Sequence, residues 1–303
     1  MTILALIAFA ANSVLCRLAL GDGSIDWVSF TVIRLLSGAL TLLLILKING
    51  VLTKPRYPDA QVTGKNNQQS LIKQQQLMLK QHQSAGSWLG GVMLFVYAAS
   101  FSYAYTLLDT ATGALILFAS VQLTMILLAI IKGVRLKLIE WLGVITAFVG
   151  FVYLVVPDIN SPSMDGLLFM TISGIAWGVY TLKGKQTTQP LRDTCANFVR
   201  SIPLVLVLFL VSLGQLELSD KGVWLAIIAG SVTSAMGYSI WYVALNGLSA
   251  TKAAVVQLSV PVIAAFGGVI FVAETLTSRL MIASIVVLTG MLMVVLGKSQ
   301  SKK

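Results

Sequence analysis

An all-α membrane protein, with ten transmembrane helices in two inverted five-helix repeats, follows from three observations. The first is composition. Of 303 residues, 57% are hydrophobic and 11% charged, with mean hydropathy +0.88. A soluble domain carries about 25% charged residues, and a deficit of this kind marks a chain dissolved in lipid. The second is segmentation. Apolar windows of about 20 residues, the length that crosses a bilayer, recur near 2–20, 27–47, 87–107, 110–131, 137–156, 165–183, 193–213, 222–245, 250–272 and 277–296. The third is self-similarity. Tyr103 falls opposite Tyr242, Ala111 opposite Ala250 and Ser120 opposite Ser259, each at an offset of 139; Arg17 falls opposite Lys183 and Arg34 opposite Arg200, each at 166. Fixed offsets mean an internal repeat. The larger offset reflects a longer linker in the first half. Five spans per half reverse the second half in the membrane, and proteins built this way place their substrate site near the midplane between halves.

Residues 1–156 thus form the first repeat, residues 165–296 the second, and residues 297–303 a basic tail. The first window lacks a basic leader and contains Asn12 and Arg17, so it reads as the first helix rather than a cleavable signal. The second carries Arg34, roughly 10 Å below the membrane surface at 1.5 Å per residue. Residues 48–86 differ from everything else. They include KNNQQSLIKQQQLMLKQHQ, with the single histidine His82, and read as a mobile cytoplasmic linker or an interfacial helix using Leu71, Ile72, Leu77 and Met78. Spans three and four form a hairpin over Ser100–Leu128. Pro157, Asp158, Asn160, Pro162 and Asp165 break spans five and six apart. Span six holds Gly174 and Gly178, a spacing for close helix contact. Pro203 and Pro261 each remove a backbone donor and are candidate bends in spans seven and nine. Spans eight and nine meet at Asn246–Ser249. Gln257 and Pro261 share a face there, and Gly267–Gly268 lies deeper in span nine.

Lysines and arginines concentrate in alternate connections. Lys47, Lys54, Arg56, Lys65, Lys73 and Lys80 follow span two; Lys132, Arg135 and Lys137 follow span four; Lys183, Lys185 and Arg192 follow span six; Lys298, Lys302 and Lys303 end the chain. The other connections hold Asp22, Asp26, Asp109, Asp158, Asp165, Glu217, Asp220 and Lys221. That asymmetry puts both termini in the cytoplasm. The net charge of +10 therefore reports orientation and contact with anionic headgroups, and nucleic acid is not an expected partner. Cys16 and Cys195 make no metal or redox spacing.

Polar groups in hydrocarbon each need a reason. The eleven carboxylates lie in connections or near helix ends, with Glu140 and Glu274 the least clear. No carboxylate or histidine sits at mid-span. That argues against a carboxylate proton relay and favours a uniporter or exchanger. Arg34 and Arg200 suit recognition of a carboxylate or phosphate; the alternative is anchoring of loop carbonyls or headgroups at a helix end. Asn12, Ser13, Tyr97, Ser100, Tyr103, Gln122, Trp177, Tyr180, Tyr238, Trp241, Tyr242 and Gln257 are polar or amphipathic within spans. Taken singly, each serves as interhelical glue or an interfacial belt. As a set on spans one, three, four, six, eight and nine, they line an aqueous cavity and grip a planar or zwitterionic ligand. No G-x-S-x-G, HExxH or P-loop occurs, so an enzyme is not expected, and neither a cofactor nor a metal.

The LCRLAL and FTVIRLLSGALTLLLIL segments, the small-residue hairpins at 109–125 and 248–264, and the FVAETLTSRLMIASIVVLTGMLMVV ending resemble the EamA-like branch of the drug/metabolite transporter superfamily. The resemblance covers nearly the whole chain outside the Gln-rich linker. It implies a basket-like bundle with a central cavity, export or exchange of small metabolites such as amino acids, and a bacterial inner-membrane location. The family's Trp-Gly-Ser-like stretch reads Ala11-Asn12-Ser13 in span one, while span six keeps Trp177-Gly178. The Glu274 motif has no counterpart at Val134–Arg135.

The expected function is alternating-access movement of small polar organic solutes, amino acids first. Asn12, Tyr103, Trp177, Trp241 and Gln257 are the expected contacts. A carrier of anionic or nucleotide-containing metabolites using Arg34 and Arg200, a multidrug exporter, and a non-transporting scaffold acting through the Gln-rich segment are the alternatives. The expected partners are a small-molecule solute and the lipid bilayer, and a monomer suffices.

Overall fold

The computed structural model describes residues 1–48, 86–131, 133, 135–155, 162–184, 189–245 and 256–299. The Gln-rich segment with His82, the Asn246–Ser249 turn and the last residues of the tail lie outside them, as does the side chain of Tyr242. The described chain is helical throughout, because a backbone in hydrocarbon must satisfy its own N–H and C=O groups. The helices are α1 (Thr2–Leu20), α2 (Trp27–Ile48), α3 (Trp88–Leu107), α4 (Thr110–Ile131), α5 (Leu138–Val155), α6 (Met164–Gly184) and α7 (Pro190–Val211). An eighth rod follows in three joined pieces: α8 (Asp220–Ile228), a π-helical segment (Ala229–Met236) and α9 (Gly237–Leu245). The set closes with α10 (Ser259–Val272) and α11 (Ser278–Ser299). Eight of these rods are long and apolar enough to cross a membrane, and two shorter apolar helices accompany them. The protein is a multi-pass membrane protein.

Helix starts follow local chemistry. Ser87 and Ser219 each cap the following helix by accepting from the N–H three residues on, Gly90 and Gly222, which satisfies one of the orphan donors of a first turn. Pro190 opens α7, where a missing N–H costs nothing. Pro261 falls in the first turn of α10, so it breaks no helical hydrogen bond there. Pro203 alone of the two candidate bends lies inside its helix. The described carboxylates lie in connections or first turns, as expected. Glu140, buried in the first turn of α5, accepts from Lys137 N–H at 2.7 Å.

The core sits where α1, α2, α3, α4, α6 and the eighth rod meet. α1 packs on α10 and the eighth rod; α6 packs on α4 and α3; α2 and α7 pack on each other. α5 and α11 pair at the periphery. Close approach depends on glycine at several crossings, two of them at the core. A Cβ on Gly174 of α6 would collide with Ser120 and lie 2.7 Å from Leu117 O on α4, which accounts for the Gly174/Gly178 spacing. A Cβ on Gly230 would collide with Ser37 and the Arg34 carbonyl, so the π segment can lie directly against α2.

One end of the bundle is tied by polar links. Glu274 accepts from Arg17 Nε at 3.3 Å, Thr110 N–H at 2.9 Å and Thr110 Oγ1 at 3.0 Å. Arg17 also donates to Tyr105 O and Asp109. The carboxylate thus caps α4 and joins it to α1 and to the α10–α11 connection. Beside it, Ser219 donates to Ser24 O, Glu217 N–H donates to Asp26, and Lys221 pairs with Asp22.

Candidate functional site

Asn12 of α1, Arg34 of α2, Tyr97 of α3, Trp177 of α6, and Thr233, Ser234 and Tyr238 of the eighth rod converge at mid-bundle. All are buried. Asn12 stands on the buried face of α1 because Phe9 and Cys16, three and four positions away, pack on the same side. Its Oδ1 accepts from Thr233 Oγ1 at 3.0 Å, and its Nδ2 donates to Tyr97 OH at 3.4 Å. Tyr238 OH also donates to Tyr97 OH at 3.4 Å. Arg34 is 1% exposed. Its Nε donates to Ser234 Oγ at 3.1 Å, and its Nη2 to Tyr97 OH at 3.2 Å and Tyr238 OH at 3.4 Å. The guanidinium carbon lies over the Tyr97 and Phe101 rings, 5.3 and 5.0 Å from their centroids, within cation–π range.

Trp177 forms the wall. Its ring centroid lies 4.8 Å from Tyr97, 4.7 Å from Tyr238 and 5.3 Å from Tyr180, the last pair stacked at 24°. Phe9 meets Trp177, Tyr238 and Trp241 edge-on. These rings and the polar groups enclose a cavity of about 20 Å³, lined by Phe9, Asn12, Ser13, Tyr97, Phe101, Leu117, Phe118, Trp177 and Tyr238. That space admits about one water, so a larger solute enters only when the helices part. A polar, aromatic pocket in the middle of a membrane bundle, backed by the buried Arg34 guanidinium, has the means to hold an organic solute by hydrogen bonds and ring contact.

The structure brings together Asn12, Arg34, Tyr97, Trp177 and Tyr238, with Trp241 behind Phe9. The other expected residues lie elsewhere. Ser100 spends its hydroxyl on Val96 O of its own helix. Tyr103 packs between Trp27 and Phe169. Gln122 lines a second small cavity between α4, α5 and α11, with Phe151 and Met291. Gln257 is buried just before α10, and among the described residues no hydrogen bond joins it to the cluster. Arg200 lies against Gly86 and Gly91 at the start of α3, near Asn197 and Asp193. Arg34 and Arg200, 166 residues apart and expected to correspond, therefore occupy different surroundings. Phe9, Phe101, Thr233 and Ser234 complete the site without having been expected. The phenylalanines are indistinguishable from core residues in sequence. The Ser-Val-Thr-Ser run at 231–234 offered a weak signal, several hydroxyls within one apolar span. Among the described residues no cluster of His, Cys, Asp or Glu could hold a metal ion.

Comparison with known proteins agrees with this architecture. Residues 164–296 match the EamA-like transporter family. An uncharacterized protein of Pseudomonas aeruginosa is 41% identical, over 97% of this chain and 93% of its own. An uncharacterized transporter of Archaeoglobus fulgidus is 29% identical over 68% of this chain and 75% of its own. A probable amino-acid metabolite efflux pump of Salmonella typhimurium is 23% identical over 61% of this chain and 67% of its own. A solved crystal structure, 17% identical, covers 100% of both chains with a TM-score of 0.59, a likeness of fold. The chain belongs to the EamA-like transporter family, within the drug/metabolite transporter superfamily, and is a membrane transporter.

Proposed function

We propose that this transporter moves small polar organic metabolites, amino acids or close relatives, by alternating access, and that the buried cluster around Asn12, Tyr97, Trp177 and Tyr238 is where the solute sits. The observation that carries the reading is the cluster itself. Polar residues at this depth are costly unless they face one another or a passage, and here five rods contribute to one pocket. The amino-acid reading draws support from the printed name of the Salmonella relative and from a pocket that pairs hydrogen-bonding groups with ring faces. Inverted repeats, residues 1–156 and 165–296, are part of the proposal. Their support is the pairing of helices: α1 with α10 mirrors α6 with α4, and α2 with the eighth rod mirrors α7 with α3. The serine caps at Ser87 and Ser219 occupy matching places, and the family match spans one half. Rocking of the halves would then open the pocket to each side in turn, in a cytoplasmic membrane with both termini inside. Counterflow into proteoliposomes with labelled amino acids tests the reading. Accelerated uptake of at least one is expected; none for any amino acid would overturn it.

A further inference from the structure

The central cluster has more donors than acceptors, and it carries a charge that no described residue balances. Arg34 has five N–H groups. Nε and Nη2 reach Ser234, Tyr97 and Tyr238, while Nη1 has no hydrogen-bond partner although it is fully buried. The Tyr97 oxygen, with two lone pairs, faces three donors, from Asn12, Arg34 and Tyr238. The Asn12 carbonyl faces Thr233 Oγ1 at 3.0 Å, whose one proton also has Ala229 O at 2.8 Å. Among the described residues Arg34 makes no ion pair. What meets it are the Ser234, Tyr97 and Tyr238 hydroxyls and the Tyr97 and Phe101 rings, none of them a carboxylate. A buried cation without a counter-ion is expensive, and an ionisable group within a membrane is by default a functional one.

The charge stands one side chain behind the cavity wall. Tyr97, Phe101 and Tyr238 both touch the guanidinium and line the cavity. We propose that the missing partner is the solute: it presents a carboxylate, enters as the counter-ion of Arg34, and accepts from the Tyr97 and Tyr238 hydroxyls and Asn12 Nδ2. Phe9 and Trp177 take the apolar remainder. One cation balances one negative charge. A carboxylate brings that one charge at neutral pH, whereas a phosphate group brings about 1.5 to 2. Arg34 thereby sets specificity, because an amide leaves the charge unbalanced and an amine leaves both the charge and the surplus donors unsatisfied. This inference rests on the transport reading above.

The test uses the full-length chain purified in detergent, with melting followed against matched probes. These are phenylalanine, leucine and glutamine, each beside its carboxamide and its decarboxylated amine, with inorganic phosphate as a further probe. At least one free acid is expected to raise the melting temperature while its amide and amine do not. Arg34→Gln should bind that acid about 10- to 100-fold more weakly, the loss of hydrogen bonds to a charged group. Tyr97→Phe, which keeps the ring, should weaken it less. Stabilisation by an amide or amine equal to that of the acid, stabilisation by phosphate alone, an unchanged acid response in Arg34→Gln, or no response to any acid would each overturn the proposal. Should Arg34→Gln not fold, the acid-against-amide comparison on the unaltered protein decides. Counterflow of the same probes separates this inference from the reading beneath it. Uptake of amides or amines keeps a carrier and discards the carboxylate, whereas uptake of none discards the carrier.

Discussion

Asn12 and Ser100 look alike in sequence, each a small polar residue inside an apolar span, and the structure gives them opposite roles. Asn12 makes two bonds to other helices; Ser100 bonds back to its own, the usual way a helical serine hides its hydroxyl. Asn12→Ala and Tyr97→Phe are therefore expected to lower counterflow about tenfold or more, the effect of losing one net hydrogen bond or somewhat more. Ser100→Ala and Tyr103→Phe should stay within about twofold of the unaltered protein. Equal losses from all four would place the solute elsewhere. At the bundle end, partial burial works against the Asp22 carboxylate, but Lys221 and Ser24 outweigh it and hold its pKa below the usual value. A lowered folded pKa means the contact stabilises above the ordinary carboxylate range and is lost only as pH falls through the lowered value. The pair is exposed, so Lys221→Ala should barely move the melting temperature.

Single elements are held by contacts between their ends and by the spacing at their crossings. Glu274 both caps α4 and holds Arg17, which Tyr105 O and Asp109 also hold, and its side chain is mostly buried. Glu274→Ala leaves the α4 donors and the Arg17 guanidinium without it. A loss of about 1–3 kcal/mol is expected, visible as a lower melting temperature in detergent; an unchanged melt would deny the link a structural role. Gly174→Leu should separate α4 from α6, since even a Cβ collides with Ser120. Overpacking of this kind costs about 1–3 kcal/mol or more, and the same melt measures it. The GxxxG spacing of span six was visible in sequence, whereas the partner helix was not. The π segment was not visible either. It arises within an unbroken apolar window, where helical periodicities of 3.6 and wider read alike, and it sets the Thr233 and Ser234 hydroxyls opposite Asn12 and Arg34.

At the scale of the whole molecule, the proposed solute pathway and the Gln-rich segment are expected to be separable. Deletion of residues 50–82 is expected to leave counterflow within about twofold, because the residues that line the pocket lie outside that stretch and a long connection between helices tolerates a change of length. Loss of all transport on this deletion, with the protein still folded, would tie the segment to the carrier cycle. The helical build, the places of eight membrane-length helices and of two shorter apolar ones, the position of the described carboxylates at helix ends, and the family were legible in the chain. Apolar run length, the price of a charge in hydrocarbon and a fixed-offset repeat are local or one-dimensional quantities. Which polar residues meet was not legible. The repeat sets Arg34 and Arg200 side by side on paper, yet one is buried at the centre with Tyr97 and Tyr238 and the other lies against the start of α3. Their separation depends on helix rotation and on glycine-permitted crossings such as Gly230 against α2. Those are properties of five rods packed together, and no stretch of sequence states them.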